Sequence, residues 1–171
     1  GYLSLTSNTT GGDNTSIGYL SLNKNTTGRS NTAVGSSALT SNTTGGYNEG
    51  IGYQSLYSNT TGLRNIGIGD ISLFRNISGN DNIAIGGWVM PANTVGYSNI
   101  AIGRKSMFRS ATGSNNVAIG DSSLYSSISV SGNTAVGSKS MFANTTGSNN
   151  ASFGAYSLRF NTTGSNNAAF G

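Results

Sequence analysis

Asn82-Ile83-Ala84-Ile85-Gly86 and, seventeen residues later, Asn99-Ile100-Ala101-Ile102-Gly103 carry the reading of the fold. Within each, β-branched residues flank a small one, the alternation of a short strand whose side chains point to opposite faces. The closing glycine belongs to a longer series. Working outward from Gly86, glycine recurs at 1, 18, 35, 52, 69, 86, 103, 120, 137, 154 and 171, always seventeen apart, with no insertion or deletion. The whole chain, 1–171, is therefore a single array of ten repeats.

Counted from that glycine, the consensus is G-x-x-S-L-x-x-N-T-T-G-x-x-N-x-A-I. Position 5 is Leu or Met in every copy, position 17 is always apolar, and position 16 is always Ala, Ser or Gly. Two glycines per unit argue against helix, where each costs about 1 kcal/mol relative to Ala. A constant period without gaps predicts an all-β fold: a parallel β-solenoid of ten 17-residue coils. Neighbouring coils sit ~4.8 Å apart, so ten make a rod of about 48 Å. Positions 5 and 17 are expected to point inward. A second short strand is expected at positions 3–6, before Asn-Thr-Thr-Gly turns the chain. Glycine at positions 1 and 11 supplies positive φ or close backbone approach. The coil at 120–136, with Ser126, Ser127, Val130 and Gly132, departs most from consensus and predicts a local bulge.

Position 14 is Asn throughout: Asn14, Asn31, Asn48, Asn65, Asn82, Asn99, Asn116, Asn133, Asn150 and Asn167. In stacked coils this column is a structural amide ladder. Two other columns turn apolar in the middle coils. Position 15 passes from Thr15, Thr32 and Glu49 to Ile66, Ile83, Ile100 and Val117; position 6 passes from Thr6, Asn23 and Thr40 to Tyr57, Phe74, Pro91, Phe108, Tyr125 and Phe142. Exposed rows of this kind form a sticky patch. They predict lateral contact between chains, with a homotrimer the favoured assembly. Ordinary repeats at both ends predict a segment of a longer array, or end-to-end stacking.

Composition excludes several functions. Without histidine or cysteine there is no Ser-His-Asp or Cys-His triad, zinc cluster or disulfide framework. Charged residues are 8%, against roughly 25% in ordinary domains. The five carboxylates, Asp13, Glu49, Asp70, Asp81 and Asp121, are too scattered for an acid/base pair or for calcium at each turn. No enzyme activity, metal or cofactor is expected. The net charge of +4 comes mostly from singly strewn cations, unlike the clustered face of a nucleic-acid binder. No apolar run approaches the ~20 residues of a membrane span.

The segments Ser114–Gly120 (Ser-Asn-Asn-Val-Ala-Ile-Gly), Asn31–Gly35 and Asn133–Gly137 resemble the head repeats of YadA-like trimeric autotransporter adhesins. The longer unit, as in Gly52–Gly62 (Gly-Tyr-Gln-Ser-Leu-Tyr-Ser-Asn-Thr-Thr-Gly), is similar to repeats of phage and algal-virus tail-fibre-like proteins. The likeness covers all ten repeats. It implies a left-handed parallel β-roll, three chains side by side, at an extracellular location on a cell surface or virion fibre. The repeat here is longer than the autotransporter unit.

Some columns admit another reading. Thr at position 10 in seven copies would suit an ice- or water-organising face, although Val95 interrupts it; a polar turn bonding its own backbone is favoured. Sequons at Asn8, Asn25, Asn42, Asn59, Asn76, Asn144 and Asn161 would set glycans ~4.8 Å apart and colliding. Trp88 with Tyr97 is a candidate carbohydrate surface, with packing against a neighbouring chain the favoured alternative. Arg75, Arg104, Lys105 and Arg109 form a basic cluster suited to an anionic glycan or receptor, or to solubility alone. The expected function is a structural or adhesive fibre segment. The alternatives are the water-organising face and an end-to-end filament.

Overall fold

A computed structural model describes residues 1–171. Ten three-residue strands run from β1 (Thr15–Ile17) through β5 (Ile83–Ile85), β6 (Ile100–Ile102) and β8 (Thr134–Val136) to β10 (Ala168–Phe170), and there is no helix. All lie in one parallel sheet in chain order. Partners across each pair are seventeen residues apart, as in Ile83↔Ile100 and Ile85↔Ile102. The chain is thus a parallel β-solenoid of about nine turns.

The strands are short, but coil-to-coil hydrogen bonding continues around the rest of the coil. Position 5 donates to the position-4 carbonyl of the following coil (Leu22 N–H to Ala38 O, 3.0 Å), and position 9 to the next position 9 (Thr26 to Thr43, 2.9 Å). Position 1 donates backward (Gly35 to Ile17 O, 2.7 Å). The expected second strand at positions 3–6 is replaced by turns. Residues at positions 3 and 5 adopt positive φ, for example Ile71 (56°) and Leu73 (49°), or Trp88 (59°) and Met90 (46°). Position 3 bonds the coil before and position 5 the coil after (Ile71 to Tyr53 O, 3.0 Å; Leu73 to Val89 O, 3.0 Å). Left-handed backbone costs an L-residue roughly 1–2 kcal/mol. Two hydrogen bonds per coil and burial of the position-5 side chain offset it.

The interior is lined by position 5, fully buried from Leu22 to Met141, and by position 16, fully buried at Ala33, Ala84, Ala101, Ala118 and Ala135. Position 17, expected inward, points out: Ile17 is 59% exposed and Ile119 38%. Strand alternation allows only one of the two faces of 15–17 to be inside, and the small residue occupies it. A Cβ on Gly50 would lie 3.2 Å from Leu39 Cγ, so nothing larger than Ala or Ser fits under the Leu column. Position-4 serines complete the wall, as where Ser55 Oγ donates to Gly67 O at 2.7 Å.

Polar side chains fill the remaining space, and buried polar residues outnumber the 16 apolar ones. The position-14 ladder forms as expected. Asn65 Oδ1 accepts from the Asn82 N–H (3.1 Å) and Asn82 Nδ2 (3.1 Å), and that Nδ2 also donates to Gly96 O at 2.8 Å. A second ladder runs through position 8: Asn59 Nδ2 donates to Asn42 Oδ1 (2.8 Å) and to Gly62 O (3.2 Å). Asn25, Asn42, Asn59, Asn76 and Asn144 are completely buried, so these sequons are inaccessible to modification.

The position-8 amide explains the glycine at position 11. A Cβ on Gly62 or Gly79 would sit closer than 3.0 Å to the Asn Oδ1 three residues earlier and to the next coil's backbone. The one non-glycine at position 11, buried Val130, occurs where position 8 is the shorter Ser127. β8 keeps its register with both neighbours, and the irregularity of this coil is confined to its turn, where Ile128 N–H reaches Thr145 O at 3.4 Å and the N–H groups of Ser129 and Val130 make no coil-to-coil bond. The ladder does break there, leaving Asn93 Oδ1 and Ser110 Oγ buried without partners.

Restoring Ser110→Asn, Ser127→Asn and Val130→Gly together should reconnect Asn93 to Asn144 and raise stability by about 1–2 kcal/mol. Ser127→Asn alone should overpack against Val130 and lower it by about 1–3 kcal/mol. Thermal unfolding of the cycle checks the coupling. Equal melting temperatures for Ser127→Asn with and without Val130→Gly would refute it.

Candidate functional site

With positions 4, 5, 8, 14 and 16 inside, function must reside on the outward columns. The sheet carries positions 15 and 17 on its outer face, where Ile66, Ile68, Ile83, Ile85, Ile100 and Ile102 lie half-buried by one another, continued by Val117 and Ile119. This apolar strip is wider than position 15 alone implies, because position 17, expected inward, joins it on the outer face. The clue was present in the invariably small position 16.

Position 6 stands on a different wall, since position 5 beside it faces position 16 across the interior. Its rings stack along the rod: Tyr57 on Phe74 at 5.2 Å, Phe108 on Tyr125 at 5.1 Å, Tyr125 on Phe142 at 4.9 Å. The two columns expected to share one lateral contact, Tyr57/Phe74/Phe108/Tyr125 and Ile66/Ile83/Ile100/Val117, are thus separate surfaces.

The aromatic ladder is interrupted once, at Pro91. Proline is tolerated because the position-6 N–H makes no coil-to-coil bond in the other repeats. Between Phe74 and Phe108 it leaves a cavity of about 400 Å³, within the range of small-ligand sites. Trp88, 42% exposed, tilts toward Phe108 with centroids 6.4 Å apart. Arg75 and Arg109 flank the opening. Lys105 Nζ lies 5.9 Å over the Phe108 ring. The structure therefore brings together Trp88, Arg75, Arg109 and two of the ladder aromatics. Tyr97 and Arg104 do not line the cavity; the Tyr97 backbone is bonded elsewhere, to Ser114 Oγ at 3.1 Å.

The two threonine columns differ. At position 9 the hydroxyls are used in coil stacking, as where Thr43 Oγ1 donates to Thr60 O at 3.0 Å. At position 10, Thr27, Thr44 and Thr61 are exposed in single file. No three histidine, cysteine, aspartate or glutamate side chains converge.

Comparison with family models, curated proteins and solved structures yields no match to this chain. Its chemistry must be read from its own surface.

The only ion pair joins consecutive coils at position 13: Arg64 Nε to Asp81 Oδ1 at 2.6 Å and Nη2 to Oδ2 at 3.0 Å. The hydrogen bond from Arg64 pulls the Asp81 carboxyl below its ordinary value and pushes the guanidinium up. Both groups are exposed, so the pair adds little at ordinary ionic strength. A depressed carboxylate stabilises above its unfolded value, near ~3.9, and that contribution is lost as pH falls through the folded value. No side chain ordinarily titrates between about pH 5 and 8 without histidine. The melting temperature should be flat across that window and fall only in more acidic solution. A step inside the window, followed by calorimetry in matched buffers, would contradict this account.

Proposed function

We propose that this chain is a rigid segment of a surface-displayed fibre, an adhesin head or a tail-fibre shaft, assembled as a homotrimer through the outer face of its sheet. The supporting observation is the outward isoleucine strip. It runs from coil to coil in register and is continuous over the middle coils. Leaving it in water forgoes about 25 cal/mol for each Å² of apolar surface. Identical faces of three parallel rods meeting on a common axis would cover it along its length. The three-fold count rests on the likeness to autotransporter head and tail-fibre repeats.

The role is mechanical. Coils locked by amide ladders hold a fixed length and present outward columns at a constant ~4.8 Å spacing. The aromatic wall, on a different side from the sheet face, stays available to solvent or to a receptor. An extracellular or virion location follows from this reading.

Light scattering on a size-exclusion column should give one species near three times the 17.4 kDa chain mass. Ile83→Asp should dissociate it. The triple change Ile66→Thr, Ile83→Thr, Ile100→Thr should weaken it without disturbing the fold, because Thr15, Thr32 and Thr134 already occupy position 15. A stable monomer, or a species of twice the chain mass, would overturn the trimer.

A further inference from the structure

We propose that the gap in the aromatic ladder at Pro91 is a binding site for an acidic sugar, a carboxylate-bearing pyranose within a glycan chain. Four features of this one corner converge on that chemistry.

The first is the spacing of the walls. Successive rings in the ladder lie about 5 Å apart, so Phe74 and Phe108, two coils apart, stand about 10 Å apart on either side of a rung that the small Pro91 ring fills only in part. A pyranose ring, which offers C–H faces to aromatic walls, can lie in the remaining space between Phe74 and Phe108.

The second is an open pair of backbone groups. The position-7 N–H normally donates to the next coil's position-6 carbonyl: Arg75 to Pro91 O at 3.2 Å, Arg109 to Tyr125 O at 3.1 Å, Ser58 to Phe74 O at 3.0 Å. At the gap this bond is missing. The Ala92 N–H makes no hydrogen bond, and the Phe108 carbonyl receives none. Ala92 lines the cavity. A donor and an acceptor left open beside two apolar walls match the hydroxyls of a sugar, which a purely aromatic ligand lacks.

The third is charge. Arg75 and Arg109 stand on either side of Ala92 and neither is paired, since the single ion pair of the chain is Arg64 with Asp81. Guanidinium groups so placed suit a carboxylate, which accepts their parallel N–H bonds.

The fourth is Trp88, whose indole closes one side of the site. It is the only tryptophan, so its fluorescence reports on this cavity alone.

This site lies on a wall other than the sheet face, so it does not depend on the assembly proposed above. Measuring mass and binding on the same sample separates the two. The experiment titrates the full 171-residue chain with trigalacturonate while following Trp88 emission, with calorimetry in parallel. The control probe is the fully methyl-esterified trisaccharide, identical except for its charge. A saturable change in emission with trigalacturonate is expected, with at least tenfold weaker binding of the ester. Arg75→Ala with Arg109→Ala should weaken binding at least tenfold. Pro91→Phe should abolish it by filling the rung, with a melting temperature no lower than that of the parent because neighbouring coils already carry a ring there. No saturable response, equal binding of the ester, or undiminished binding by the Pro91→Phe variant would each overturn the site. Displacement by a single-stranded oligonucleotide that binds more tightly than trigalacturonate would overturn its assignment to sugar.

Discussion

Each coil must return to its starting point displaced by one strand spacing, ~4.8 Å along the rod, and this axial constraint governs everything else. It demands that every residue lie above its counterpart seventeen positions earlier. The two asparagine ladders enforce the match, because each amide binds both the preceding rung and a backbone carbonyl of its own or the next coil. One inserted residue would displace both columns at once and strand several buried polar groups, each costing about 1–3 kcal/mol. The unbroken period is the imprint of that penalty. It also explains how leucine and methionine are held at positive φ: the neighbouring coils bond the turn from both sides.

The interior built this way differs from an oily core. One Leu or Met per coil is packed between alanine and serine on one side and carboxamides on the other. A single coil has too little apolar area to stand alone, so stability comes from nearest-neighbour stacking. Polar contacts in such a confined space are satisfied or costly with little between. Only four buried side-chain atoms lack partners, and two of them, Asn93 Oδ1 and Ser110 Oγ, mark the place where the position-8 ladder gives way to serine. Val130 occupies the glycine column in the adjoining coil, where the shorter Ser127 leaves room. Two departures from consensus that look independent in the sequence are one packing event.

Much of this is legible in the sequence. The period, the parallel sheet, the inward position 5 and the Asn14–Asn167 ladder follow from columns that tolerate no variation. The errors share a cause. Apolar character alone places position 17 inside, yet strand alternation makes 15 and 17 a pair and gives the inside to whichever neighbour is small. The turns at positions 3–6 were hidden because left-handed leucine has no propensity signal; only contact with adjacent coils sustains it. The position-8 asparagines looked like part of a polar turn, and their burial depends on the glycine at position 11 making room. Arg75, Trp88 and Arg109 were identifiable as unusual residues, but their meeting place is set by Pro91, whose effect is a missing ring.

That last point bears on how a periodic scaffold acquires a site at all. When each outward column repeats at fixed spacing, its members satisfy one another: rings stack on rings and Thr hydroxyls bond the carbonyl ahead. A perfect column of stacked rings therefore offers a small ligand nothing but its edge. A cavity in it requires a defect, and a defect is tolerated only where the backbone does not depend on the residue replaced. Position 6 meets that condition because its N–H is unused in stacking, so proline removes no coil-to-coil bond of its own residue. The single loss falls on Ala92, one residue further on, whose N–H makes no coil-to-coil bond and which lines the cavity. Rigidity and recognition thus arise from the same repeat: the inward columns cannot vary without breaking the rod, while one substitution in an outward column is enough to open a cavity in it.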